Sequence, residues 1–224
     1  MGNLNMQLNT LKEKYPFPLI QGVKPFYFSL DGGGRETIIK EIQEQNIELV
    51  LEIGSFLCGS TIQWLESSNS LTVIGVDPWE GNFASILDRY NKNPIFDSCF
   101  QKIEDRQEFI QSVCNNGPYL SALANVKKYK ERFIPIQAYS PKALYEIASM
   151  GITPQLIYFD SNKVLDDLDV CMELFPEAIL SGDDWTWGAE RGFPVQKAVK
   201  EFCQQHKFSF TAKRATWMIH KTQV

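Results

Sequence analysis

Histidine is nearly absent from this chain: there are two, His206 and His220, both in the C-terminal part. Both read as structural, and neither is a candidate base. The five cysteines (Cys58, Cys99, Cys114, Cys171, Cys203) are odd in number, widely spaced and form no C-x-x-C pair. That argues against a zinc or dithiol redox motif and for reduced thiols in a cytoplasmic protein. Positive charge is in deficit. With 22 Lys and Arg against 27 Asp and Glu, the formal charge is -5, so the clustered basic face of a nucleic-acid binder is not expected. The basic cluster from Lys127 to Arg132 is interrupted by Glu131 and reads as a solvated helix face. No apolar run approaches the roughly 20 residues of a membrane span. The N-terminal stretch lacks a basic region followed by an apolar core, so neither export nor a membrane partner is expected. Repeats and low-complexity tracts are missing too.

The 224 residues, 44% hydrophobic, suit one α/β domain spanning 1–224. Strand-like apolar runs recur at Leu49–Ile53, Leu71–Val76, Phe133–Ile136, Leu156–Phe159, Ala178–Leu180, Phe208–Thr211 and Thr216–His220. Helical patterns separate them: one from Glu36, one from about Ser60, one opened by Pro141 and closed by Gly151, one over Val164–Phe175, and one carrying Val195, Ala198, Val199 and Phe202. This alternation predicts a mainly parallel seven-stranded sheet with helices on both faces, ending in an antiparallel hairpin. Two segments break the rhythm. Residues 1–30 show no clear period and are expected to wrap the surface or cover a site. Residues 82–130, apparently helical with a break at Asn115–Pro118, are too long for an ordinary connection. They read as a lid or substrate-recognition insert, or as an excursion that is either structural or homodimer-forming. Asp31-Gly-Gly-Gly34 is a turn into the first of these helices, either approaching a ligand closely or serving as a flexible connector.

Three groups of residues carry chemistry. Glu52-Ile-Gly-Ser-Phe-Leu-Cys-Gly-Ser60 lies where a strand turns into a helix. There Gly54 and Gly59 let the backbone approach a ligand, and a helix N-terminus capped by Ser60 suits an anionic group such as a carboxylate. Asp77 follows at the tip of the next strand, where an acid can accept hydrogen bonds from both hydroxyls of a ribose. The loop lacks the three-glycine dinucleotide pattern, which counts against NAD and against a phosphate-cradling loop. The third group is acidic: Asp160, Asp183 and Asp184 each follow a strand, with Lys163 three residues beyond the first. Carboxylates at neighbouring strand ends can share a hard cation. Helix capping by Asp160 and solvation of the Asp pair fit the pattern equally well. Trp185, Trp187 and Phe193 flank that pair as a candidate apolar wall for a substrate, or as ordinary packing.

Leu51-Glu-Ile-Gly-Ser-Phe with Cys58-Gly-Ser-Thr61, then Gly75-Val-Asp-Pro-Trp79, Asp160-Ser-Asn-Lys163 and Gly182-Asp-Asp-Trp185, resemble the class I, Rossmann-like S-adenosylmethionine (SAM)-dependent methyltransferases. Within that class the chain looks most like bacterial small-molecule O-methyltransferases and, more distantly, the metal-dependent catechol and caffeoyl-CoA O-methyltransferases. The resemblance implies that Glu52, Gly54, Ser55, Phe56, Gly59 and Ser60 surround the methionine part of SAM, that Asp77 and Trp79 meet the ribose side, and that Ala138 and Ser140 rim the adenine, with Asp160 also at the cofactor. It implies Mg²⁺ on Asp160, Asp183 and Asp184, with Lys163 and Asp160 as the catalytic pair. Two departures stand out: Cys58 where glycine is frequent, and Asn162 where many relatives have histidine.

The expected function is methyl transfer from SAM to a hydroxyl of a small molecule, in natural-product or secondary metabolism and assisted by a divalent metal as Lewis acid and template. Two alternatives compete with it: a metal-independent N- or O-methyltransferase, and a catalytically silent nucleoside-binding or assembly protein.

Overall fold

The computed structural model describes residues 2–26, 28–81, 87, 99, 100, 102, 104–161 and 165–221. At its centre lies the short apolar strand β1 (Leu49–Ile53), every residue of which is buried. A strand buried on both faces needs helices above and below it, and the chain supplies them through parallel crossovers. β2 (Thr72–Asp77) and β3 (Phe133–Gln137) extend the sheet on one side of β1, and β4 (Leu156–Phe159) and β5 (Ile179–Gly182) extend it on the other. β6 (Ser209–Lys213) and β7 (Thr216–His220) form the antiparallel hairpin, giving the order β3-β2-β1-β4-β5-β7-β6. The strand order reverses between β1 and β4, the position at which open α/β sheets bind ligands.

Side-chain alternation along the strands divides the core in two. Val50 and Glu52 of β1, Val73 of β2 and Tyr158 of β4 face the layer built from α2 (Glu36–Glu44), α3 (Gly59–Ser67) and α4 (Asp105–Val126). Leu51, Ile53, Ile74 and Phe159 face α1 (Gly2–Lys14), α5 (Ser140–Ser149), α6 (Asp167–Leu174) and α7 (Pro194–His206). Pro141 and Pro194 open α5 and α7 at positions where a missing N–H costs nothing. The break expected near Asn115 is present: Gly117 leaves helical geometry at φ 79, ψ 165, just before Pro118.

Three sequence expectations need correction or completion. The N-terminal segment is not all irregular covering: its first part is α1, whose Leu8 and Leu11 are buried in the second core layer. The anchors of this helix are distant in sequence, Lys14 pairing with Glu146 at 2.7 Å and Lys12 donating to the Glu131 carbonyl at 2.8 Å, so no local period reveals it. Of the basic cluster, Arg132 is partly buried and donates to the carbonyls of Ser68, Leu71 and Leu65. The three glycines after Asp31 are packed against the β6–β7 hairpin, and Gly32 also lines the cavity at the strand ends. A Cβ on Gly32 would stand 2.4 Å from that of Ala215, and one on Gly34, at φ +101, would stand 2.0 Å from the Lys213 carbonyl oxygen. The segment is pressed onto the β6–β7 turn, where the Ala215 N–H donates to Gly33 at 3.0 Å.

Gly34→Ala is therefore expected to destabilise the protein by about 3 kcal/mol, lowering the thermal midpoint by roughly 6–12 °C. Differential scanning calorimetry checks this.

Candidate functional site

The carboxyl ends of β1, β2 and β4, where the parallel strands stop together, border a cavity of about 920 Å³. That is near the upper end of the size range of small-molecule sites. Gly54, Ser55, Phe56, Gly59 and Ser60 line it, as do Asp77, Ala138, Ser140, Asp160, Asp183, Asp184 and Trp187. The N-terminal segment crosses the same opening, contributing Phe28 through Gly32 and Arg35. Of residues 1–30, expected to wrap the surface or cover a site, Phe28, Ser29 and Leu30 line this cavity. Of the 82–130 insert, Cys99 lines the cavity. Asn125 ties this side together, its Oδ1 accepting from the Phe26 N–H at 2.8 Å and its Nδ2 donating to the Leu57 carbonyl at 3.1 Å.

The β1–α3 loop is shaped by close backbone approach. Gly54 has φ +93, and a Cβ there would stand 2.2 Å from the Asp160 carbonyl oxygen. Phe56 and Cys58 adopt φ of 46 and 62, left-handed values that bulky residues avoid. This geometry explains why glycine suits position 58. Cys58 tolerates it because its side chain is fully buried, and burial pushes the thiol well above its ordinary value. Asp77 holds the loop from the other side, its two oxygens accepting from the Phe56 N–H at 2.9 Å and the Trp79 N–H at 2.7 Å. Burial raises the Asp77 carboxyl above its usual value, against the pull of these two N–H groups. Each oxygen keeps a lone pair for a further donor. Ser55 Oγ is buried with no hydrogen-bond partner.

Not every expected residue reaches the cavity. Glu52 turns into the core, where its carboxylate accepts from the Thr61 hydroxyl and, at 2.9 Å, from Trp64 Nε1. β-Strand alternation puts it on the α3 face, beneath the loop rather than in it. Trp79 is also turned away, packing on Tyr119 and donating from Nε1 to the Phe56 carbonyl at 2.6 Å. Both shape the loop from behind. Trp185 packs against Phe210, and Phe193 leads into α7 at φ 54, so neither lines the cavity beside Trp187. His206 stacks between Phe202 and Phe208, and His220 pairs with Thr211 at 2.8 Å. Lys163 and Asn162 lie outside the described residues.

The acidic set converges, but on an arginine that sequence reasoning did not single out. Arg35, 3% exposed, donates from Nη2 to Asp183 Oδ2 at 2.8 Å and to the Leu30 carbonyl at 2.9 Å, and from Nη1 to Ser29 Oγ at 3.2 Å. Asp160 Oδ2 lies 3.6 Å from Nη2 and Asp31 Oδ1 lies 3.8 Å from Nε. Burial alone would lower the guanidinium pKa, yet Tyr158 and the carboxylates of Asp183, Asp160 and Asp31 hold it above the usual arginine value. The second oxygen of Asp183 accepts from the Asp184 N–H at 2.9 Å. A divalent ion on these oxygens would have to displace that network beside a fixed positive charge. Charges of +2 and +1 about 4 Å apart repel by about 8 kcal/mol even at an effective dielectric constant of 20. Among the described residues no group of three His, Cys, Asp or Glu side chains is placed to hold a metal. The expected Mg²⁺ site therefore does not fit the residues present. The signal for Arg35 is absent from local sequence because its partner Asp183 is 148 residues away.

No family model matches the chain, and no curated protein matches it in sequence. Solved structures do match in shape. An O-methyltransferase from Bacillus cereus in complex with S-adenosylhomocysteine (SAH) is 16% identical, with 98% of this chain and 90% of that one covered and a TM-score of 0.50. A SAH-bound methyltransferase from Podospora anserina is 11% identical over 100% of this chain and 89% of that one, with a TM-score of 0.51. An O-methyltransferase of tomaymycin synthesis from Streptomyces achromogenes, in complex with SAM, is 11% identical over 100% and 91%, with a TM-score of 0.52. The fold is that of the class I methyltransferases. In this methyltransferase fold the β2–β1–β4 edge and its cavity coincide with the strand-order reversal, so fold and cavity point to the same place.

Because Glu52 supports the loop from the core, Glu52→Ala is expected to cost about 3 kcal/mol of stability by stranding Trp64 Nε1 and the Thr61 hydroxyl. Thermal unfolding measures the loss. A Glu52→Ala protein with an unchanged midpoint would contradict this supporting role.

Proposed function

We propose that the protein is a SAM-dependent methyltransferase acting on a hydroxyl of a small molecule. The carrying observation is the Asp77 carboxylate, buried at the tip of β2 and locked by two backbone N–H groups beside a glycine-hinged loop at the strand-order reversal. That is what a ribose with two free hydroxyls requires. The backbone N–H groups at the start of α3 suit the amino-acid end of SAM, and Ala138 and Ser140 suit the adenine rim. SAM supplies a sulfonium methyl whose carbon–sulfur bond breaks as a carbon–oxygen bond to the acceptor forms, the electron pair staying on sulfur. The chain's part is to orient the acceptor oxygen and take its proton. Asp160, which lines the cavity, takes that proton, with Lys163 as the other candidate base. The acceptor's apolar surface is received by Leu30 and Trp187, both of which line the cavity.

Two binding experiments test the reading. Isothermal titration calorimetry is expected to show one SAM or SAH site per chain, and absence of binding by folded protein overturns the proposal. Asp77→Ala removes charge-assisted hydrogen bonds worth about 1.5–3 kcal/mol and is expected to weaken SAM binding roughly 10- to 100-fold. Ribose recognition also prefers the ionised carboxylate. Since burial raises the Asp77 carboxyl above 3.8, SAM affinity is expected to start falling, as pH is lowered, before an unperturbed aspartate would titrate. The same raised pKa means that ionised Asp77 costs the unliganded fold stability as pH rises through its titration.

A further inference from the structure

We infer that Arg35 is the resident cation of the acid-lined side of this site: its guanidinium stands between Asp160 and Asp183 in place of a divalent metal and sets the charge an acceptor meets there. Three observations carry this. First, one nitrogen, Nη2, faces oxygens of both carboxylates, at 2.8 Å from Asp183 and 3.6 Å from Asp160. The charge a metal would provide is therefore already present, delivered by the protein itself. Second, both oxygens of Asp183 are already engaged, Oδ2 by Arg35 and Oδ1 by the Asp184 N–H, so a metal there would have to compete with both. Third, the protein anchors the guanidinium itself: Nη2 donates to the Leu30 carbonyl and Asp183 and Nη1 to Ser29, while Nε is buried with Asp31 Oδ1 3.8 Å away, in a side chain that lines the cavity.

The balance of charges sets the acceptor's charge. Four cavity-lining aspartates on this side, Asp31, Asp160, Asp183 and Asp184, face one arginine. The acceptor is a neutral or cationic hydroxyl compound, since an anionic one meets net negative charge. Lysine cannot replace Arg35, because an ammonium lacks the fork that engages Ser29, Leu30 and Asp183 at once.

The acceptor clause rests on the methyl-transfer reading; the cation clause does not, so the test reads metal binding directly. Mn²⁺ is titrated into the full-length protein, with SAH present and absent, and free ion is followed by electron paramagnetic resonance. Wild-type protein is expected to leave the free-ion signal unchanged at millimolar Mn²⁺. Arg35→Ala, checked for folding by circular dichroism, is expected to bind Mn²⁺ at least about tenfold more tightly than wild type, with Asp160→Asn in that background abolishing the gain. Wild-type binding of Mn²⁺ that Asp160→Asn removes overturns the inference, and so does a folded Arg35→Ala that binds none. If Arg35→Ala does not fold, the wild-type titration alone decides. Failure to bind SAH in the same samples would sink the methyl-transfer reading and leave the cation result standing.

Discussion

A buried guanidinium is expensive, and the way this chain accommodates Arg35 organises its functional edge. Taking an ion out of water costs several kcal/mol unless opposite charges and hydrogen bonds surround it. Here they come from four places: Asp183 after β5, Asp160 after β4, Asp31 on the preceding turn, and the Leu30 carbonyl with Ser29 Oγ. Satisfying one side chain thus fixes the N-terminal segment across the strand ends. That segment forms one wall of the cavity. Gly32 to Gly34 make the placement sterically possible by letting backbone meet backbone at the β6–β7 turn.

Strain concentrates along the same edge. Phe56, Cys58, Trp79 and Asp184 all adopt positive φ without being glycine. Each is pinned by a strong local contact: the Asp77 carboxylate holds the Phe56 and Trp79 N–H groups, burial holds Cys58, and Asp183 holds the Asp184 N–H. Backbone strain of this kind costs of order 1–3 kcal/mol per residue and persists only where packing over-determines it. The parallel sheet and its two core layers supply that rigidity, so a loop that would not hold its shape alone presents fixed donors and acceptors to a ligand.

Glu52 shows how function and stability are divided between neighbours. It belongs to the same motif as Gly54, yet strand alternation sends its carboxylate inward to Thr61 and Trp64. The motif is half site and half scaffold. Ligand-facing polarity comes from Asp77 and the strand-end acids, while Glu52 and Trp79 brace the loop they surround.

Sequence alone determined the parallel sheet, its closing hairpin and the glycine-hinged loop with its distal acid, because these rest on short-range patterns: apolar runs at β1 and β4, Pro141 opening α5, and the one helix and one strand that carry the chain from Gly54 to Asp77. The observed strands Leu156–Phe159 and Thr216–His220 coincide with the predicted runs. Local pattern did not reveal α1, whose apolar residues answer to a distant core, nor the inward turn of Glu52, nor the exclusion of Trp185 and Phe193 from the cavity. It also placed three aspartates together without seeing the cation already among them. Only the tertiary structure decided that point, since the field felt by Asp160 and Asp183 is set by a side chain more than a hundred residues away in sequence and a hydrogen bond away in space.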